Sequence, residues 1–383
     1  IPNEEIDMDY MNLHQSAHGD REHAFMGARL GLKRKIVVGY WKDKDVQEKI
    51  GKWMRAAAGA AFSKQLKLVR FGDNMREVGV TEGDKVEAQI KFGWQVNTWP
   101  VGDLVQKIQS VTQEEVDKQV EEYEKHYVYQ TEDKEAVRYQ ALAELGMKKM
   151  LEEQGAHGFT NTFENLYGRE QLPGLATQDW MRQGYGYGGE GDWKVSAMTA
   201  IIKFMSEGLT GGNSFIEDYT YDFEAGLALG AHMLEVCPSI ATDKARIEVH
   251  PLGIGGKKDP ARLVFEGKEG PACLASLVQM GNRFRLLVHE IDCVKPHKDM
   301  PNLPTARVMW EAKPNLADGA KAWMLAGGAH HSTLTYDLDF EVLQDFCRIM
   351  DIECVHINAE TDPDKLEEEL FLKDIAWKLK GLK

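Results

Sequence analysis

Two glutamates and a group of histidines, each in a short segment rich in glycine or aromatic residues, are the part of this sequence equipped for chemistry. Glu190 lies in GYGYGGEGDW, Glu217 in GGNSFIEDYTYDF, His232 in GAHMLEVCPS, and His330 and His331 in LAGGAHHS. Carboxylate oxygen and imidazole nitrogen together form a donor set suited to a divalent cation, and the glycines beside them let the backbone turn tightly. That combination points to metal-assisted chemistry on a small, oxygen-rich substrate. Taken singly, such a glutamate is most often a surface residue. The pair gains weight from His232, whose largely apolar HMLEV setting obliges the ring to find a partner, a hydrogen-bonded core histidine being the plain alternative. His330 and His331 are adjacent, so on an extended backbone only one can face a given site. We assign that place to His331.

Other segments carry weaker signals. GYGYGG at Gly184–Gly189 has the outline of a dinucleotide fingerprint, but QDWMRQ precedes it where an apolar strand is required. It is read as a flexible segment that positions Glu190 and Asp192. LGIGGKKD at Leu252–Asp259 lacks the spacing and the Ser or Thr of a phosphate-binding loop. HQSAHGDREH places Gln15 and His18 near an expected strand-to-helix junction, where parallel sheets form ligand crevices. They are candidate contacts for sugar hydroxyls, and His23 is read as a helix-face residue.

The elements that must position these residues follow from periodicity. The opening IPNEEIDMDYMNL reads as a loop entering a strand, followed by a helix from about Ser16 that ends near Gly31. A strand at Lys35–Tyr40, a helix from Asp45 and a strand at Leu66–Phe71 give the spacing of a parallel βαβ unit. Residues 111–153 are charged and helical in period, and read as solvated scaffold. From Arg246 to about Pro314, short β-branched or aromatic runs separated by turns predict an antiparallel sheet or small barrel. LDFEVLQDFCRIMD, IECVHIN and PDKLEEELFLKDIAWKLK then read as helix, strand and terminal helix.

A chain of 383 residues can bury a large core and favours two or three domains. Its formal net charge of -15, from 61 acidic against 46 basic residues, argues against nucleic acid and anionic membranes as partners. The five cysteines form no C-x-x-C pair, so reduced thiols in the cytoplasm are expected rather than a disulfide framework. No apolar run is long enough to span a membrane, and the first residue, Ile1, is consistent with a chain that starts inside a larger protein.

MNLHQSAHGDREHAFMGARL, FGDNMREVGVTEGDKVEAQIKFG, QLPGLATQDWMRQGYGYGGEGDWK, FIEDYTYDF, HMLEVCPSIA, LGIGGKKDPARLVF and AGGAHHS together resemble the L-arabinose isomerases over essentially the whole chain. The resemblance implies an α/β fold of the fucose isomerase-like kind. The remainder of a Rossmann-like N-terminal domain would occupy residues 1–66, a central α/β domain 67–211, and a C-terminal domain with an antiparallel β-barrel and terminal helices 212–383. It implies an enzyme of arabinose catabolism that interconverts L-arabinose and L-ribulose, and D-galactose and D-tagatose, with Mn²⁺ or another divalent ion such as Co²⁺ or Mg²⁺. A homo-hexamer or homo-tetramer is implied as well.

Carried over by position, the family's catalytic pair falls on Glu190 and Glu217, and its metal set on these two with His232 and His331. The substrate pocket falls on Met75, Phe163 and Ile254, with Gln15 and His18 reaching a neighbouring subunit's site. Two departures stand out: the family pattern includes a segment before the position of Ile1, and YDFEAGLALGAHM is somewhat shorter than its family counterpart. Removing a proton from the carbon beside a carbonyl gives an enediol, with the two carboxylates as acid and base. Which plays which part stays open, as does a hydride shift. A glycoside hydrolase built on paired carboxylates, or a non-catalytic sugar-binding fragment, are the alternatives.

Overall fold

A computed structural model describes residues 6–281 and 283–380. The opening stretch, expected to enter a strand, is instead helical where it is described, and Ile1 to Glu5 lie outside the described residues. Helix α1 (Met8–Leu13) starts at Asp7, whose carboxylate accepts from the Tyr10 amide and so favours a helical turn. Helix α2 (Ser16–Arg29) ends before Gly31, which adopts φ +64. The strand expected over Lys35–Tyr40 does not form. An extended segment becomes a strand only when a neighbour takes up its amides and carbonyls, and among the described residues none does. Ile36 and Val38 remain exposed, and the segment is held by charge, with Lys35 Nζ 2.8 Å from Glu341 and 2.5 Å from Asp345.

Helix α3 (Lys44–Ser63) leads to β1 (Lys67–Phe71), whose parallel partners lie downstream rather than upstream. Helix α4 (Lys85–Phe92) opens on the Asp84 side chain, closes on left-handed Gly93 and delivers β2 (Gln95–Trp99). Helix α5 (Val101–Gln109) follows, and the charged stretch then folds as helices α6 (Gln113–His126) and α7 (Lys134–Gln154), with the short β3 (Val128–Tyr129) between them. Thr112 and Glu115 make a reciprocal capping box on α6. Strand β4 (Gly158–Thr160), α8 (Gly174–Arg182), β5 (Gly186–Gly188) and α9 (Trp193–Met205) complete the layer. The parallel sheet has the order β2-β1-β4-β5.

Strands β6 (Asn213–Asp222) and β7 (Leu227–Ala231) form a hairpin, while β8 (Arg246–Val249) and β9 (Ala261–Val264) join β3 in a small sheet. Then come β10 (Gly270–Gln279), β11 (Phe284–Val294), β12 (Arg307–Ala312), α10 (Leu316–Leu325) and β13 (His331–Thr335). The order β10-β13-β6-β7-β12-β11 closes on itself because β10 also pairs with β11, giving a six-stranded antiparallel barrel. Helix α11 (Phe340–Met350), β14 (Glu353–Ile357), which runs parallel to β11, and α12 (Pro363–Lys380) finish the chain.

Helix α9 joins the two layers. Buried around nearly its whole circumference, it packs Trp193, Ala197, Met198 and Ile201 with Leu68 of the parallel sheet and with Ala275 and Leu277 of the barrel. On β6 and β13 the two-residue period divides the side chains. Thr333, the cross-strand partner of Phe215, bonds Thr199 of α9 at 2.8 Å, whereas Ile216 and Leu334 join Trp310 and Leu287 in the barrel core. Glu217 and His331 fall on the side of Phe215.

Candidate metal centre

The site forms where this outer face of the barrel meets the carboxyl ends of the parallel strands. Glu217 and His331 are cross-strand partners, and Glu217 also lies opposite Ala231, so His232 arrives at the same edge directly after β7. Glu190 comes from the other layer, in the turn between β5 and α9, at φ 59. That left-handed conformation costs a non-glycine residue roughly 1–2 kcal/mol. It is held by close packing: a Cβ on Gly186 would stand 2.1 Å from the Ser196 oxygen, and one on Gly188 2.2 Å from the Asp192 oxygen. GYGYGG is therefore not the flexible segment expected but a buried helix-on-strand contact from Gly186 to Gly189. The Glu190 main-chain oxygen also accepts from the Met75 amide at 3.0 Å.

Donor atoms of Glu190, His232 and His331 all lie within 4.8 Å of one another. Glu217 Oε2 is 3.9 Å from His232 Nε2. His331 is fully buried, and its Nε2, 3.9 Å from Glu190 Oε2, has no hydrogen-bond partner among the described residues. A buried ring nitrogen without a partner, facing a carboxylate and beside a second imidazole, fits a divalent cation. The Nδ1 atoms turn the other way, His232 Nδ1 to Glu235 Oε2 at 2.6 Å and His331 Nδ1 to Asp192 Oδ2 at 3.4 Å. Phe215 packs edge-on against both rings, with centroids 4.9 and 5.0 Å away. His330 bonds Glu190 Oε2 at 3.2 Å and borders an open cleft of about 550 Å³ lined by Asp218, Tyr219, Tyr221 and Met324. Both rings of the doublet thus reach the same Glu190 oxygen, contrary to the expectation that only one would face the site, His331 from within the cluster and His330 from the cleft side.

The environments of the two glutamates differ. Burial raises the Glu217 carboxyl above its ordinary range, only partly offset by His232 and His330. Burial acts on Glu190 in the same sense, but the His330 hydrogen bond and the fields of His331 and His232 together outweigh it and hold that carboxyl low. Burial drives His331 down to about 4 against the pull of Asp192. In His232 the same penalty is overcome by Glu235, and the ring titrates above its ordinary value. One carboxyl held below its ordinary range beside one raised above it is the kind of division that paired acid–base work uses.

Met75, Phe163 and Ile254 gather in one apolar cluster with Leu166, Leu172 and Leu234, and Phe163 lies 5.8 Å from the His232 ring. Gln15 and His18 are not brought there. Both are exposed at the start of α2, a helix-to-helix junction rather than the strand-to-helix one expected, and no hydrogen bond among the described residues joins either side chain to the cluster. The sequence did not single out Glu235. Its only signal was position, three residues after a histidine in need of a partner.

Fold and cluster together define an α/β enzyme with a candidate metal centre between a parallel sheet and a closed barrel. Family models described as the L-arabinose isomerase N-terminal, central and C-terminal domains match residues 1–65, 67–208 and 212–353. The L-arabinose isomerase of Geobacillus kaustophilus (strain HTA426) is 54% identical over 386 residues, covering 99% of this chain and 77% of the relative. Those of Thermotoga maritima (strain ATCC 43589 / DSM 3109 / JCM 10099 / NBRC 100826 / MSB8), 52% identical over 99% of this chain and 77% of its own length, and Geobacillus stearothermophilus, 54% identical over the same shares, agree. The chain belongs to the L-arabinose isomerase family and is an isomerase. No described helix is long and apolar enough to cross a membrane.

Proposed function

We propose that this isomerase interconverts L-arabinose and L-ribulose, and D-galactose and D-tagatose, with a divalent metal and through an enediol. One observation carries the reading: Glu190, His232 and His331 converge beside Glu217, with His331 Nε2 left for a ligand. These four residues would hold the ion, Mn²⁺ or alternatively Co²⁺ or Mg²⁺. When bound, the ion supplies Lewis acidity toward the sugar's carbonyl and hydroxyl oxygens. Glu190 and Glu217 move the protons, one carboxylate taking the proton from the carbon beside the carbonyl while the other serves the neighbouring oxygen. Met75, Phe163 and Ile254 wall the pocket and exclude water from the reacting carbons. The glycoside hydrolase and the binding-only fragment are not favoured by family membership.

The same proposal includes a cytoplasmic homo-hexamer or homo-tetramer in which Gln15 and His18, exposed at the start of α2, complete a neighbouring subunit's pocket. It also includes the three-domain division at 1–66, 67–211 and 212–383. The direct test is to assay ketose formed from L-arabinose with Mn²⁺ present, after exhaustive chelation, and after Mn²⁺ is restored. Activity that follows the ion is expected. Full turnover in chelated protein would remove the metal from the mechanism, and cleavage of a glycoside in place of isomerisation would revive the hydrolase.

A further inference from the structure

Both imidazoles of the cluster present Nε2 to it and give Nδ1 to a buried carboxylate, yet the two carboxylates are built differently. Asp192 stands 3.4 Å from His331 Nδ1 and has other work, capping α9 through the Lys194 and Val195 amides at 3.1 Å and lying 3.4 Å from Lys194 Nζ. Glu235 is fully buried, and among the described residues its one ion-pair partner is His232. Its Oε2 receives His232 Nδ1 at 2.6 Å and the Leu234 amide at 3.0 Å, while Oε1 lies 3.4 Å from the Tyr187 hydroxyl. A buried carboxylate is costly unless hydrogen bonds and an opposite charge repay it, and an apolar side chain would fill the same space without that cost. The field of Glu235 also reaches the buried Arg262 guanidinium, but the histidine is the ion-pair partner it touches.

We infer that Glu235 is a positioning residue for His232. It keeps the proton of the neutral ring on Nδ1, aims the Nε2 lone pair at the space shared with Glu190 and Glu217, and through its charge strengthens Nε2 as a donor. The purpose of this arrangement rests on the metal proposed above. Its geometry does not. The rival account is that Glu235 merely ties down the Leu234 amide, a task any neutral acceptor of the same shape would perform.

The test separates these. In metal-free protein labelled with ¹⁵N at histidine, at a pH where the ring is neutral, His232 should show a single tautomer protonated on Nδ1. Glu235→Leu removes acceptor and charge together, and should give mixed tautomers and a Mn²⁺ affinity lowered by about 10–100-fold in calorimetry. Glu235→Gln offers its amide oxygen to the same two donors, so the tautomer should persist while the affinity still falls several-fold for want of the charge. Because Glu235→Gln preserves shape, it decides the matter even if Glu235→Leu does not fold. A Mn²⁺ affinity equal to the parent's in Glu235→Gln would overturn the inference, as would a parent ring protonated on Nε2. Failure of the parent to bind Mn²⁺ would sink the metal reading separately, and the tautomer would still report on Glu235.

Discussion

At the scale of single residues, Glu190 and Glu217 are close to isosteric with glutamine, so exchanging either tests chemistry rather than packing. Glu190→Gln or Glu217→Gln should leave a folded protein whose ketose formation falls by about a hundredfold or more, because an amide cannot carry the proton. Near-normal turnover in either variant would take that residue out of the mechanism. His18→Ala should weaken sugar turnover in the assembled protein while Mn²⁺ affinity stays as it was, since His18 stands apart from the cluster; a parallel loss of metal binding would contradict its proposed role. Glu190, His232 and His331, whose donor atoms lie within 4.8 Å of one another, and Glu217 beside His232 stood out in sequence because carboxylates and imidazoles in glycine-rich or aromatic segments announce their chemistry. Met75, Phe163 and Ile254 were singled out only through family resemblance, and the structure gathers them in one apolar cluster beside the His232 ring; their composition alone would fit any core. Glu235 was missed because its meaning depends on where the His232 ring points.

Individual elements show where periodicity succeeds and where it fails. The long helices and β10, β11 and β12 carry enough residues for their pattern to be read, whereas β6, β7 and β13 of the barrel fall outside the Arg246–Pro314 stretch expected to form it, β8 and β9 inside that stretch join β3 instead, and β4 and β5 are each only 3 residues long. Lys35–Tyr40 has the composition of a strand and lacks a neighbour, a property no local pattern encodes. The glycines of β5 mark the path of α9 across the strand. Gly188→Ala should therefore displace Asp192 and with it both the cap of α9 and the turn carrying Glu190. A loss of about 1–3 kcal/mol in denaturant melts is expected, with activity reduced although every glutamate and histidine remains. Unchanged stability would mean that the backbone can yield at this point.

Across the whole molecule, stability should depend on pH through groups outside the metal cluster as well. Burial pushes the His289 imidazole down to about 4, against an ordinary value of 6.5, while Nε2 bonds the Lys313 carbonyl at 2.7 Å. The unfolded chain binds this proton more readily than the folded one. His289 therefore costs nothing above about pH 6.5 and lowers stability progressively as the pH falls from there toward 4, by up to about 3 kcal/mol in all. In metal-free protein, His289→Gln should flatten the fall in unfolding free energy across that window, and an identical slope in parent and variant would count against the assignment. The fold class itself was legible because runs of short strands and long charged helices separate cleanly along the chain. Between the sheet and the small barrel that the strand runs left open, only the family resemblance chose the barrel, since closure depends on β10 pairing with both β11 and β13.

The hairpin of β6 and β7 has a consequence for how this family can vary. Its chemistry sits at the root, where Glu217 faces Ala231 and His232 follows, while the turn after Asp222 lies at the far end. Paired strands can lose or gain rungs at such a tip without disturbing the register below it. A change of length near the turn would then trim or extend the tip and leave the root, with Glu217 opposite Ala231, as it is. A single residue inserted between Phe215 and Glu217 has no such freedom: it would turn the glutamate into the barrel and leave the site with an empty corner.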